Sequence, residues 1–143
     1  MKTLQFGCEA DQMNGNTVTL TVPINSSFTI VALQLDLALM YTIRPWFLSK
    51  NFAEILGSVS IAGQAANTDW GTPVFTGTQF HGDVGGGTLA AIILKASPLE
   101  STSRGIVIPN LSIAVTPAQH LQCNMGHSGY PVDAEIQGVL FYE

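Results

Sequence analysis

Strict alternation of apolar and polar residues is the feature that most constrains this chain. Thr17-Val18-Thr19-Leu20-Thr21-Val22 places Val18, Leu20 and Val22 on one face. Leu33-Gln34-Leu35-Asp36-Leu37-Ala38-Leu39 repeats the pattern over a longer run. Ile55, Gly57, Val59 and Ile61 alternate with Leu56, Ser58 and Ser60, and Ile136, Gly138, Leu140 and Tyr142 alternate with Glu135, Gln137, Val139 and Phe141. A period of two is the mark of a strand with one face in a core, because successive side chains leave opposite sides of the pleat. Val, Ile, Thr and aromatic residues fill these runs, as a pleated surface favours.

Shorter strands are expected at Lys2–Phe6, Tyr41–Leu48, Val74–Phe80, Thr88–Ala96, Ile106–Ile108, Leu111–Val115 and Leu121–Asn124. Thr88–Ala96 is apolar on both faces, which suits a central or covered strand. Asn14-Gly15-Asn16 reads as a hairpin turn, since these residues tolerate positive φ. Asn25-Ser26-Ser27, Gly63-Gln64, Gly82 to Gly87, Pro98 and Gly126 to Gly129 separate the other runs. Pro23, Pro45, Pro73, Pro109, Pro117 and Pro131 mark edges and strand ends, having no N–H to give a ladder. Helix is expected for one turn at most, at 49–54 or 117–120. Many short strands with turns roughly every ten residues predict one all-β domain over residues 1–143. The expected architecture is an antiparallel, jelly-roll-like β-sandwich of about eight or nine strands.

Charge limits what such a domain can do. Asp, Glu, Lys and Arg make up 10% of the chain, and mean hydropathy is +0.30. An ordinary soluble protein carries roughly 25% charged residues. Uncharged polar residues must therefore cover the outside, or much of it must touch other subunits, since obligate interfaces are depleted of charge. Net charge is −5, and the five cations (Lys2, Arg44, Lys50, Lys95 and Arg104) are scattered. Nucleic-acid binding needs clustered cations to displace phosphate counterions, so no nucleic-acid partner is expected. No basic run suits an anionic membrane, and the apolar stretch 28–43 contains Gln34 and Asp36 and is shorter than a span of about 20 residues. An eight-stranded outer-membrane barrel fits the length but wants export and a charged lumen. Met1 to Phe6 lacks a signal peptide's apolar segment, so the expectation is a chain kept in a cytoplasm or packed there into a particle. The sequons at Asn25 and Asn110 are read as chance. Cys8 and Cys123 are too few for a disulfide framework and are read as reduced thiols, with a bridge left open.

No set of residues forms an active-site motif. Gly82 to Thr88 is glycine-rich, but it lacks the Gly-Lys-Ser/Thr of a phosphate loop and leads into a strand rather than a helix. His81 with Asp83, Cys123 with His127, and His120 with Cys8 are metal-ligand types without a zinc spacing. Asp133 and Glu135 share a strand face, as paired carboxylates of a glycosidase would, and no nucleophile elbow G-x-S-x-G is present. We assign no catalytic, cofactor-binding or metal-ligating residue. Arg44, Trp46, Phe47 and Trp70 are the candidate interface anchors, being of types enriched at binding hot spots. Asp69, Trp70, His81 and Asp83 are candidates for a ligand-binding loop, where an aromatic face stacks on a sugar and carboxylates take its hydroxyls.

The strand beginning at Met1-Lys2-Thr3-Leu4-Gln5-Phe6, the Thr-, Gly- and Asn-rich middle at Asn14 to Thr21 and Thr76 to Thr88, and the final strand Ala134 to Glu143 together resemble the small β-sandwich structural proteins of tailed bacteriophage virions. These include decoration, cement, minor capsid and head- or tail-completion proteins. The resemblance is one of style across the whole chain and transfers no functional residue. It implies a symmetric homo-oligomer, trimeric or higher, that contacts other virion proteins and stabilises a shell without catalysis. Its location would be the virion, assembled in the host cytoplasm. Two further readings stand beside it: a lectin-like or receptor-binding sandwich with a glycan partner, and a metal-dependent barrel enzyme.

Overall fold

The computed structural model describes residues 1–40, 52–62, 74–77, 88–97 and 100–143. The strands are β1 (Lys2–Met13), β2 (Thr17–Pro23), β3 (Phe28–Met40), β4 (Ala53–Ala62), β5 (Val74–Gly77), β6 (Thr88–Ala96), β7 (Thr102–Ile108), β8 (Ile113–Val115), β9 (His120–Gly129) and β10 (Val132–Tyr142). Sheet A has the order β1-β10-β3-β7, with β8 also on β3, and sheet B has the order β2-β9-β4-β6-β5. β7 and β8 follow one another along the same side of β3, at Leu33–Leu39 and Phe28–Ile30. They are two lengths of one edge strand, which makes nine strand positions among the described residues.

The topology is that of a folded-over hairpin. β1 pairs β10, β2 pairs β9, β3 pairs β7 and β4 pairs β6, all antiparallel. Rolling this long ribbon adds the β10–β3 and β9–β4 ladders and closes two sheets face to face. This is a jelly-roll-like β-sandwich. The four-position β5–β6 ladder is its one parallel pairing among the described residues.

The alternating runs fill the space between the sheets. Leu33, Leu35, Leu37 and Leu39 of β3 are buried, as are Ile55, Val59 and Ile61 of β4, Leu121, Cys123 and Met125 of β9, and Ile136 and Leu140 of β10. Burying one such side chain contributes about 1.5–3 kcal/mol. Gly57 lies where side chains of the facing sheet leave no room for its own, since a Cβ there would meet Leu37 at 3.0 Å and Ile136 at 3.1 Å. β6 is buried on both faces, Leu89, Ala91 and Ile93 on one and Ala90, Ile92 and Leu94 on the other.

Several sequence expectations are corrected. Asn14-Gly15-Asn16 does not close a two-stranded hairpin: β1 lies in sheet A and β2 in sheet B, so the turn crosses between layers. Gly15 does take the positive φ (74°) that its type favours. Ala53 and Glu54 begin β4 rather than a helical turn. Pro117 and Ala118 sit in a β-turn, closed by Gln119 N–H to Thr116 O at 3.0 Å and by Thr116 N–H to Gln119 Oε1 at 2.8 Å. β1, β7 and β9 are longer than their apolar pattern suggested. The expected strand Tyr41–Leu48 lies outside the described residues.

Candidate functional site

With the apolar set committed to the core, the opposite set of side chains forms two solvent-facing sheets. On sheet A the register aligns the row Gly7, Gln137, Asp36 and Gly105 across β1, β10, β3 and β7. The next row on one side is Gln5, Val139, Gln34 and Val107, and on the other Glu9, Glu135, Ala38 and Ser103. Gly7 lies in a shallow open groove of ≈ 660 Å³ bordered by Gln5, Glu9, Gln34, Asp36 and Glu135. Asp36 lies over Gly105, so a side chain at Gly105 would collide with its carboxylate. Glu9 stands directly opposite Glu135, a like-charge pair that disfavours the ladder slightly. Gln137 Nε2 donates to Glu135 Oε1 on this face. The surface is acidic, but no group of three or more metal-ligating side chains converges among the described residues.

Sheet B presents a different face. Its aligned rows are Thr17, Gly126, Leu56 and Ile93, then Thr19, Asn124, Ser58 and Ala91; Ile93 and Ala91 of β6 are buried, so β2, β9 and β4 carry the solvent-facing part. Thr21, Gln122 and Ser60 continue it. Thr19 Oγ1 donates to Asn124 Oδ1 at 2.7 Å, tying β2 to β9 on this surface. No charged side chain occurs in these rows; Glu54 and Lys95, opposite each other across β4 and β6, mark its end. Lys95 Nζ lies 4.7 Å from the centroid of the Phe52 ring, a cation–π contact.

The reactive residue types are used structurally. His127 Nδ1 accepts from Gly15 N–H at 2.7 Å, and its Nε2 lies 2.7 Å from Tyr130 O. These partners select the neutral tautomer with the proton on Nε2, and they pin the β1–β2 turn to the β9–β10 turn. Cys123 points inward from β9, and its thiol is pushed up to about 12 by burial first and by Cys8 second. Burial also raises the Cys8 thiol. Both cysteines are free. A thiol held protonated in this way is a poor nucleophile and a poor metal ligand. Asp133 accepts from Gln12 N–H at 2.8 Å and so caps the one-residue bulge in β1, where Gln12 has φ 52°. Tyr130 O–H donates to Ser97 O at 2.6 Å, and burial, then Glu100, raises its pKa.

Arg44, Trp46, Phe47, Asp69, Trp70, His81 and Asp83 lie outside the described residues. The two solvent-facing sheets were not named from the sequence as candidate surfaces, although the phase of the alternation marks them: residues out of step with the buried set must face away from the core.

No protein-family model matches the sequence, and no curated protein matches it. Among solved structures, the chain is similar to a CocE/NonD family hydrolase from Staphylococcus aureus, with TM-score 0.51 and 7% identity over 96% of this chain and 32% of that one. An aminopeptidase from a marine sediment archaeon (Thaumarchaeota) gives 0.46 and 10%, covering 89% of this chain and 26% of that one. The cryo-EM structure of broad bean stain virus gives 0.40 and 5%, covering 98% of this chain and 88% of that one. The chain thus spans about a third or less of each of these two enzymes. The likeness to the hydrolase shows a shared sandwich fold. A fold of this kind hosts unrelated functions, so it assigns none.

Proposed function

We propose that this chain is a virion structural protein: a non-enzymatic subunit that packs as a symmetric oligomer or in a lattice and stabilises a phage capsid or a head or tail assembly. The observation that carries the reading is the uncharged field of Thr17, Thr19, Thr21, Gln122, Asn124, Ser58 and Ser60 on sheet B. Such a face loses little on leaving water, because no ion has to be stripped of its hydration shell and each hydroxyl or amide can exchange water for a partner's polar group. The low charge of the whole chain extends the same property to the rest of its exterior. A jelly-roll sandwich supports this role as a rigid block with its faces open to neighbours.

Sedimentation velocity and negative-stain microscopy of the purified chain, at low and at molar salt, test the proposal. The expected result is a closed oligomer, trimeric or larger, that persists at high salt because few ion pairs hold it. A monomer at every concentration and salt level overturns it.

A further inference from the structure

We propose that β2 is a homotypic pairing edge, on which the β2 of a second copy adds antiparallel with Thr19 opposite its own counterpart, so that the two B sheets become continuous. The inference rests on the assembly reading above and names the contact.

Among the described residues, the four sheet edges differ in how they are guarded against further pairing. An edge strand exposes unpaired N–H and C=O groups, and charge, bulges, proline or shortness normally protect it. β1 carries Lys2, Glu9 and Asp11 and is bulged at its end. The β7–β8 edge carries Arg104 and is broken by Pro109 and by Asn110, which has φ 61°. β5 is four residues long. β2 has no charge, no glycine and no bulge, its one proline is its last residue, Pro23, and its register with β9 is unbroken from Thr17 to Pro23. Its core-facing Val18, Leu20 and Val22 are only half-buried, whereas their partners on β9, Met125, Cys123 and Leu121, are fully buried. Part of the apolar surface of β2 therefore remains to be covered.

The sequence of the strand argues for a second copy as the occupant. Thr17-Val18-Thr19-Leu20-Thr21 reads nearly the same in both directions about Thr19. A two-fold axis there sets Thr17 against Thr21 and Val18 against Leu20, so that Thr meets Thr on the outer face and aliphatic meets aliphatic on the inner one. That is the self-complementarity an isologous contact requires, and Thr–Thr pairs suit opposed strand positions. An uncharged strand also meets no like charge when it pairs with itself. The strand is ~23 Å long and the sheet ~10 Å thick, so the contact buries roughly 500 Å² in total. A stand-alone interface needs about 1,000 Å². β2 pairing is therefore weak alone and forms at high concentration, or where other faces of the assembly add to it.

Thr19→Lys tests the contact by placing two ammonium groups opposite each other on the axis, with Thr3→Lys on the β1 edge as the control. Sedimentation equilibrium should show the self-association constant of Thr19→Lys weakened about tenfold or more, and that of Thr3→Lys unchanged. Circular dichroism melts verify that both fold. Self-association of Thr19→Lys equal to wild type overturns the β2 contact while leaving the assembly reading intact. A wild-type chain that never self-associates removes both. Register is tested independently: mixed Thr17→Cys and Thr21→Cys proteins should form a disulfide under mild oxidant faster than either variant does with itself. Preferential Thr17→Cys self-coupling would point to parallel pairing and reject the proposal.

Discussion

Gly138 has no side chain because Phe6 occupies its space. The two are directly opposed across β1 and β10, and the Phe6 ring lies over the glycine on the core side of sheet A. A Cβ built at Gly138 would meet three ring atoms at once, and even the farthest, Cε1, is 2.8 Å away. Ordinary carbon–carbon contact is about 3.5–4.0 Å, so the ring would have to retreat by about 1 Å. Phe6 is 8% exposed and packed within the core, so retreat means overpacking elsewhere. Gly138→Ala should therefore cost about 1–3 kcal/mol. Phe6→Ala should cost about 3–5 kcal/mol through lost burial and a cavity. In the Phe6→Ala background the added methyl has room, and replacing a strand glycine regains about 0.5–1 kcal/mol of backbone entropy. The coupling between the two sites is then about 2 kcal/mol or more, of compensating sign. Urea unfolding of the four proteins measures it, with Phe6→Leu as a milder partner if the double variant is too unstable. If Gly138→Ala costs the same in both backgrounds within about 0.5 kcal/mol, the ring is not what excludes a side chain there.

Two further outcomes are expected. The Cys123 thiol has a folded pKa of about 12 against an ordinary 9.0, so between these values the folded state holds a proton that the unfolded state has lost. Its contribution to stability is full below pH 9 and falls by about 1.4 kcal/mol per unit as pH rises toward 12; urea midpoints between pH 8 and 11 should show this loss, and Cys123→Ala should reduce the slope, the remainder coming from Cys8 and Tyr130, whose pKa values are also raised. His127→Ala removes the acceptor for Gly15 N–H and the contact with Tyr130 O, and should cost about 1–2 kcal/mol in the same unfolding assay; a change under 0.3 kcal/mol would mean water replaces both bonds freely.

The strands were legible where one face is buried and the other wet. Leu33 to Leu39 and Ile136 to Tyr142 alternate because the sandwich has two distinct sides. Where a strand lies at an edge the pattern fades. Cys8 and Ala10 face inward on β1 but look unremarkable in sequence, and Thr102 to Gly105 of β7 are largely exposed. The partner of each strand was not legible, because alternation records a face and not a neighbour. Asn14-Gly15-Asn16 shows this: its chemistry specified the positive φ of Gly15, and the crossing between sheets depends on β10 and β9 claiming β1 and β2. For the candidate surfaces, composition indicated an uncharged exterior, whereas its gathering onto sheet B needed the register of β2, β9 and β4.

β10 lies in the middle of sheet A, between the strand that opens the chain and β3. Lys2 pairs with Tyr142, so β1 waits for a partner made well over a hundred residues later. At a translation rate of roughly 5–20 residues per second, β1 spends on the order of ten seconds without its partner. β3 can pair with β7 and β8 before β10 emerges, but β1 cannot join sheet A until then, and refolding should be slow, as it is for topologies dominated by distant pairings. During that interval Lys2, Glu9 and Asp11 have a second use: they keep a nascent strand soluble until the segment that will shelter it has emerged.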